Sequence, residues 1–302
     1  MKSSDPQPIY QSIEDTRTFL IITTPSIVSG VFDFEDWKKT MGMNVIIEYS
    51  NSWTVDSIQN IVKYHYSNDD NLYYLLIIGD NEQVPSFESS YVDMKNNRCF
   101  YVTDAFYSYL DENDDYTPDI LYGRIPVKTA QEAHTVLEKI IQYEKNPPDN
   151  ELFYRNATIC SSFLSTFPFG AEEYTNSIRY SEQILSYLMN CTENTKAFRR
   201  IYNTCKTNIP QDRTFLDEDS ELIDPTYWNR RTDSIPSFLQ KPNFPWNGNT
   251  DSIATAINSG TFFLSALMHG KVNEWIRPSF VVSDTARLTN GQLLPIIFSM
   301  AC

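Results

Sequence analysis

Two residues in this sequence stand where a nucleophile and its base would have to stand. His269 follows the apolar run 261–268 (TFFLSALM) and precedes Gly270, and Cys302 follows the apolar run 294–301 (LPIIFSMA). Both runs read as buried strands. In an open parallel sheet, ligands bind outside the carboxyl ends of the strands. If these two strands are neighbours, an imidazole and a thiol meet at one edge. The histidine then takes or stabilises the thiol proton, and the thiolate attacks a carbonyl carbon. Gly270 lets a substrate approach the backbone closely and offers its N–H to a developing oxyanion. The competing reading is packing, because cysteine also serves as a small buried hydrophobe.

The other candidates are few, since the chain has three histidines and five cysteines. His65 and His134 fall on helical patterns and read as solvated or core-edge residues. Cys99, Cys160, Cys191 and Cys205 read as packing. No CxxC pair and no metal-ligand spacing occurs, and an odd cysteine count does not form a disulfide framework. The acidic run 111–115 (DENDD) reads as a solvated loop; an oxygen-rich loop can also hold structural calcium, which is the minority alternative.

Composition narrows the classes further. The 302 residues carry 24 Lys+Arg against 39 Asp+Glu, a net charge of −15. Such a surface excludes the counterion-releasing patch of a nucleic-acid binder and opposes an anionic membrane. Only 9 glycines are present, which disfavours glycine-built phosphate cradles. With 41% hydrophobic and 14% aromatic residues, the chain is long and apolar enough for one large or two modest domains. No apolar stretch approaches the ~20 residues of a membrane span. Residues 1–17 have no apolar leader core, so the chain is expected to be cytosolic or to have lost a leader.

The elements that must position the candidates alternate between strand and helix. Strands are predicted at 19–23 (FLIIT), 44–48 (NVIIE) and 73–78 (YYLLII), with helices at 33–40 and 56–66, the latter capped by Thr54. Residues 99–110 are aromatic and partly alternating, as in antiparallel or edge strands. A short strand at 119–124 and an amphipathic helix at 128–144 follow, and Asn146–Asn150 (NPPDN) is the best linker. The chain is therefore divided into an N-terminal α/β subdomain, 1–148, and a second subdomain, 149–302. The second repeats the pattern: strand 157–161 (ATICS), helix 174–189, strand 198–203, an irregular excursion at 207–249, helix 250–258, strand 261–268, a turn at 287–291 and a final strand at 294–302. Continuous apolar strands separated by helices imply an α/β fold with a mostly parallel sheet covered on both faces.

Four stretches resemble the gingipain-like cysteine peptidases. They are 74–85 (YLLIIGDNEQVP); Thr103, Asp104, Tyr107, Leu110 and Asp111 with 118–127 (PDILYGRIPV); the helix end 141–144 with the prolines after it; and His269-Gly270, Trp275, 288–290, Leu294-Pro295 and 298–302. The resemblance spans roughly residues 19–302 and is weakest in 207–249. It implies a caspase-like fold, mostly parallel sheet flanked by helices in two α/β subdomains. It also implies a cysteine endopeptidase with Cys302 as nucleophile, His269 as general base and acid, and the N–H groups of Gly270 and Cys302 as oxyanion hole. An acid from the loop after the ATICS strand, Glu172 or Glu173, would orient the histidine. Cleavage after basic P1 residues, a protein or peptide substrate, a bacterial secreted or cell-surface location and no required cofactor follow from the same resemblance.

Two features depart from the pattern. Met268 stands where the family usually has glycine before the histidine, and the family's domain continues past the cysteine, so the chain is expected to stop inside it. These departures motivate the alternative of a catalytically incompetent caspase-like binding or scaffold module. A third reading is another α/β hydrolase or transferase using the same edge.

Overall fold

The computed structural model describes residues 16–92, 96–111, 117–163, 176–191, 197–204, 215–216, 222–223, 236–239 and 242–301. Contacts divide the chain into two units, Met1–Pro147 and Pro148–Cys302.

In the first unit the apolar runs become a four-stranded parallel sheet. Its strands are β1 (Thr18–Thr23), β2 (Asn44–Tyr49), β3 (Leu72–Ile78) and, after the ribbon described below, β6 (Leu121–Ile125), in the order β2-β1-β3-β6. β1 lies between two strands, and Leu20, Ile21 and Ile22 are buried without exposure. Alternate residues serve opposite faces. Leu20 and Ile22 join Ile58 and Val62 of α2 (Val55–Asn68), while Ile21 joins Phe34 of α1 (Phe32–Thr40) and Leu137 and Ile141 of α3 (Ala130–Lys145). This two-faced burial is why the strands read as unbroken apolar runs.

Local capping fixes the start of α2 at the predicted Thr54. The Thr54 hydroxyl accepts the Ser57 N–H at 3.1 Å, and the Thr54 N–H donates to Ser57 Oγ at 2.9 Å. Thr54→Ala removes one half of this reciprocal cap and is expected to cost about 1 kcal/mol, measured as a lowered denaturation midpoint with an unchanged denaturant slope.

The aromatic segment differs from its sequence reading. Residues 99–110 are not one strand. β4 (Phe87–Val92) pairs antiparallel with β5 (Arg98–Thr103), and the chain then leaves the ribbon for a 3-10 turn at Ala105–Ser108. Two buried demands end the strand. Asp104 is held by Arg124 of β6 at 2.7 Å, and Tyr107, wholly buried, donates its hydroxyl to Pro85 O at 2.6 Å. β4 escaped detection because FESSYV has no apolar alternation.

The second unit repeats the architecture. A short helix α4 (Glu151–Arg155), unread in the sequence, leads into β7 (Asn156–Phe163). Then come α5 (Asn176–Cys191), β8 (Ala197–Thr204) and the two-residue antiparallel pair β9 (Phe215–Leu216) and β10 (Leu222–Ile223). α6 (Thr250–Asn258), β11 (Phe263–Leu267), a three-stranded ribbon and β15 (Ile296–Met300) complete it. The sheet is wholly parallel, in the order β15-β11-β7-β8. On one face Ile159 and Tyr202 pack with Ile178 and Leu185 of α5. On the other, Cys160, Leu264 and Ala266 pack with Ile253 and Ile257 of α6.

The excursion at 207–249 is not irregular throughout, because Leu239 and Trp246 are buried against the first of these faces. α6 ends at its predicted residue, and Gly260 (φ +83°) takes the left-handed conformation that turns the chain from the helix toward β11. Among the described residues, no helix is long and apolar enough to cross a membrane.

Candidate active site

The geometry begins with the order of the second sheet. From β7 the chain moves outward to β8, then returns to the other side of β7 to lay down β11 and β15. Strand order therefore reverses between β7 and β11, and the crevice outside their carboxyl ends is where an α/β sheet takes a ligand. β11 is bolted to β7 at both ends. The Thr158 and Thr261 hydroxyls meet at 2.9 Å, and Ser161 Oγ donates to Leu267 O at 2.8 Å.

β11 also pairs with β15 in parallel register, Phe263 opposite Ile296 through Leu267 opposite Met300. From these last partners the sequence runs two residues on to His269 and two residues on to Cys302. Cys302 itself lies outside the described residues, as do Glu172 and Glu173, and all but Asp111 of the acidic run 111–115. Cys205 also lies outside, and Cys191 is described only in its backbone. Among the described residues, no group of three His, Cys, Asp or Glu side chains is placed to hold a metal ion.

Past Leu267 the chain does not simply stop, as a strand-end reading implies. Met268 bends it, and β12 (His269–Lys271) starts a new antiparallel ribbon with β13 (Glu274–Ile276) and β14 (Phe280–Val281). Strands of two or three residues carry too little periodicity to be read in advance. The register gives each residue an orientation. Lys271 and Glu274 close a two-residue loop, so they form a hydrogen-bonded pair, and Gly270 opposite Trp275 falls on the following non-hydrogen-bonded pair. The N–H of Gly270 consequently points off the open edge of β12, unused by the ladder. His269 lies on the ribbon face opposite Trp275 and is exposed.

Met268, the departure from the family pattern, needs no special backbone. It is absent from the positive-φ residues, and its side chain is buried with Leu264, Ala266 and Ile253, against Trp275 and Phe280. A side chain there fills core volume rather than the exposed face that carries His269.

The remaining candidates lie elsewhere. His65 Nε2 is 2.9 Å from Glu48 Oε1, and the half-buried His134 is 3.5 Å from Asp33; both are in the first unit. Cys160 is wholly buried, and burial pushes its thiol up to about 12, so it packs and does not react. Cys99 sits half-buried on the β4–β5 ribbon. One polar residue went unread. Ser299 interrupts the apolar run of β15, and its Oγ accepts the indole N–H of Trp275 at 3.0 Å. The lone hydroxyl in IIFSM was the only signal for it.

Comparison with known proteins adds to this geometry. The sequence model of peptidase family C25 matches residues 12–302. Gingipain R1 and gingipain R2 of Porphyromonas gingivalis are each 21% identical over 300 residues, which is 97% of this chain and 25% and 33% of theirs. Lys-gingipain of the same organism is 21% identical over 262 residues, 84% of this chain and 12% of its own. The crystal structure of the Arg specific cysteine proteinase gingipain R superposes with a TM-score of 0.66 over 96% of this chain and 55% of that one, at 21% identity. The chain thus spans a third or less of these curated relatives and about half of the solved chain. The α/β fold with mostly parallel sheets flanked by helices is the fold of gingipain R.

Proposed function

Because this chain belongs to peptidase family C25, we propose that it carries a cysteine endopeptidase site in which Cys302 is the nucleophile and His269 the base and acid. The observation that supports this most is the β11–β15 register, with Leu267 opposite Met300, each two residues before a member of the pair. His269 takes the Cys302 thiol proton, and the thiolate adds to the peptide carbonyl carbon. The oxygen's new negative charge is met by the outward N–H of Gly270 and the N–H of Cys302. The imidazolium then gives its proton to the leaving amine as the C–N bond breaks, leaving a thioester. His269 next takes a proton from water, whose hydroxide displaces the thiol. Glu172 or Glu173 orients the imidazole. These groups supply nucleophile, proton carrier and oxyanion donors, so the reaction calls for no cofactor.

A basic P1 residue is the preferred substrate feature. Relatives are named Arg specific and Lys-gingipain, and a net charge of −15 draws a cationic peptide inward. A secreted or cell-surface location fits the same relatives. The test is a peptide panel varied at P1. Arg and Lys substrates are expected to exceed neutral ones by about 10²-fold in kcat/KM, and equal rates across the panel would remove the P1 assignment.

A further inference from the structure

Resting on that peptidase reading, we propose that Trp275 is a positioning residue that sets the distance between the strand of His269 and β15, the strand that precedes Cys302 in the sequence. Three contacts place one side chain across both. Trp275 faces Gly270 in the β12–β13 ladder, one pair from His269 opposite Ile276. Its ring packs on Phe280 with centroids 6.0 Å apart and on the buried cluster that contains Met268. Its N–H reaches out of this cluster to Ser299 Oγ on β15, three residues before Cys302.

β15 needs such a tie. Among the described residues it pairs with β11 alone, and each of its five residues is exposed. Among the described residues, the Trp275 bond is the only side-chain hydrogen bond that β15 makes. The β11–β15 ladder fixes β15 along the sheet, but β12 has left that sheet at Met268, so the ladder does not fix β15 against His269. The indole closes this gap: it moves with β12 through the ribbon and with β15 through Ser299. Plain core packing would require the ring and not the N–H, and that difference makes the role testable.

Trp275→Phe keeps an aromatic ring and deletes the donor. Ser299→Ala deletes the acceptor at an exposed position where folding is not at stake. Each is expected to lower kcat about tenfold with KM within about twofold and with an unchanged melting temperature, since a misplacement on the order of 1 Å is costly to chemistry and not to binding. The double variant should be no worse than either single one, and Ser299→Thr should recover most of the rate. Unchanged kcat in Ser299→Ala, or additive losses in the double variant, would overturn the positioning role. Cys302→Ala run alongside separates the two levels. Hydrolysis that survives it removes the peptidase reading, whereas Cys302-dependent hydrolysis indifferent to Ser299 removes only the role of Trp275.

Discussion

Alanine at position 269 is expected to lower Cys302-dependent peptide hydrolysis by about 10³-fold or more, while slowing alkylation of Cys302 only a few-fold at pH 7. The two numbers differ because the proposed dyad gives the histidine two tasks. Hydrolysis needs the imidazolium as proton donor to the leaving amine, and loss of a general acid–base group costs about 10²–10⁴ by itself. Alkylation needs only the thiolate. An ordinary thiol of pKa about 8.5 is roughly 3% ionised at pH 7, so pairing with an imidazolium raises the thiolate population some tens of times. A less basic thiolate is also a weaker nucleophile, which returns much of that gain. The discriminating measurement is therefore the pH profile. At pH 5.5 the paired thiolate persists, and wild-type alkylation should exceed that of His269→Ala by about tenfold or more. Two coincident profiles, both falling with the ordinary thiol range, would mean that no dyad forms. The molecule holds its own references. Cys160 is buried beyond reach in the folded state, and Cys99 on the ribbon is accessible and in the other unit, so site-resolved labelling reads Cys302 against both.

What could be read in advance follows from how local each feature is. β1, β3, β7 and β11 are short β-branched or leucine-rich runs buried on two faces, and their identity is contained in five to eight consecutive residues. α6 is bounded by an Asn249 cap and by Gly260, both adjacent to it in sequence. His269 stood out as a candidate because it follows an apolar run in the sequence. The ribbon β12–β14 was not legible, since its strands are only two or three residues long. The bond from Trp275 to Ser299 joins residues 24 positions apart, and nothing near either one indicates the other. The same limit applies to the family-like blocks of the first unit. Gly79, Pro85, Asp104, Tyr107 and Arg124 belong to the stretches that carry the family resemblance. Together they form a buried polar clamp, whose pairing only the fold supplies.

That clamp carries the largest expected effect on stability. Arg124→Ala should destabilise the first unit by about 3–5 kcal/mol. Arg124 leaves the carboxyl end of β6 with its side chain largely buried, and all five guanidinium N–H groups are used. Nε and Nη2 hold the two Asp104 oxygens at 2.7 Å each. Nη1 donates to Gly79 O at 2.7 Å and Val84 O at 2.9 Å, and Nη2 also donates to Ser86 Oγ at 3.0 Å. The fork thus gathers the end of β3, the turn after it and the end of β5. Gly79 takes φ +148° there, and a Cβ on it would stand 2.9 Å from Val84 Cγ2, so the turn admits no substitute. Removing the arginine leaves the Asp104 carboxylate, at 13% exposure, with only the Ser86 hydroxyl, and leaves two carbonyls without their donor. An uncompensated buried charge is the costly part, so the loss exceeds what a surface pair would give. On a unit of this size it corresponds to a fall of roughly 10 °C in melting temperature. Arg124→Lys should fall between the two, because an ammonium supplies three donors and cannot reproduce the planar fork. A loss under about 1 kcal/mol in Arg124→Ala would mean that these bonds merely exchange for water. The presence of Asp104 and Arg124 in the family-like blocks would then need an explanation outside the folding of this unit.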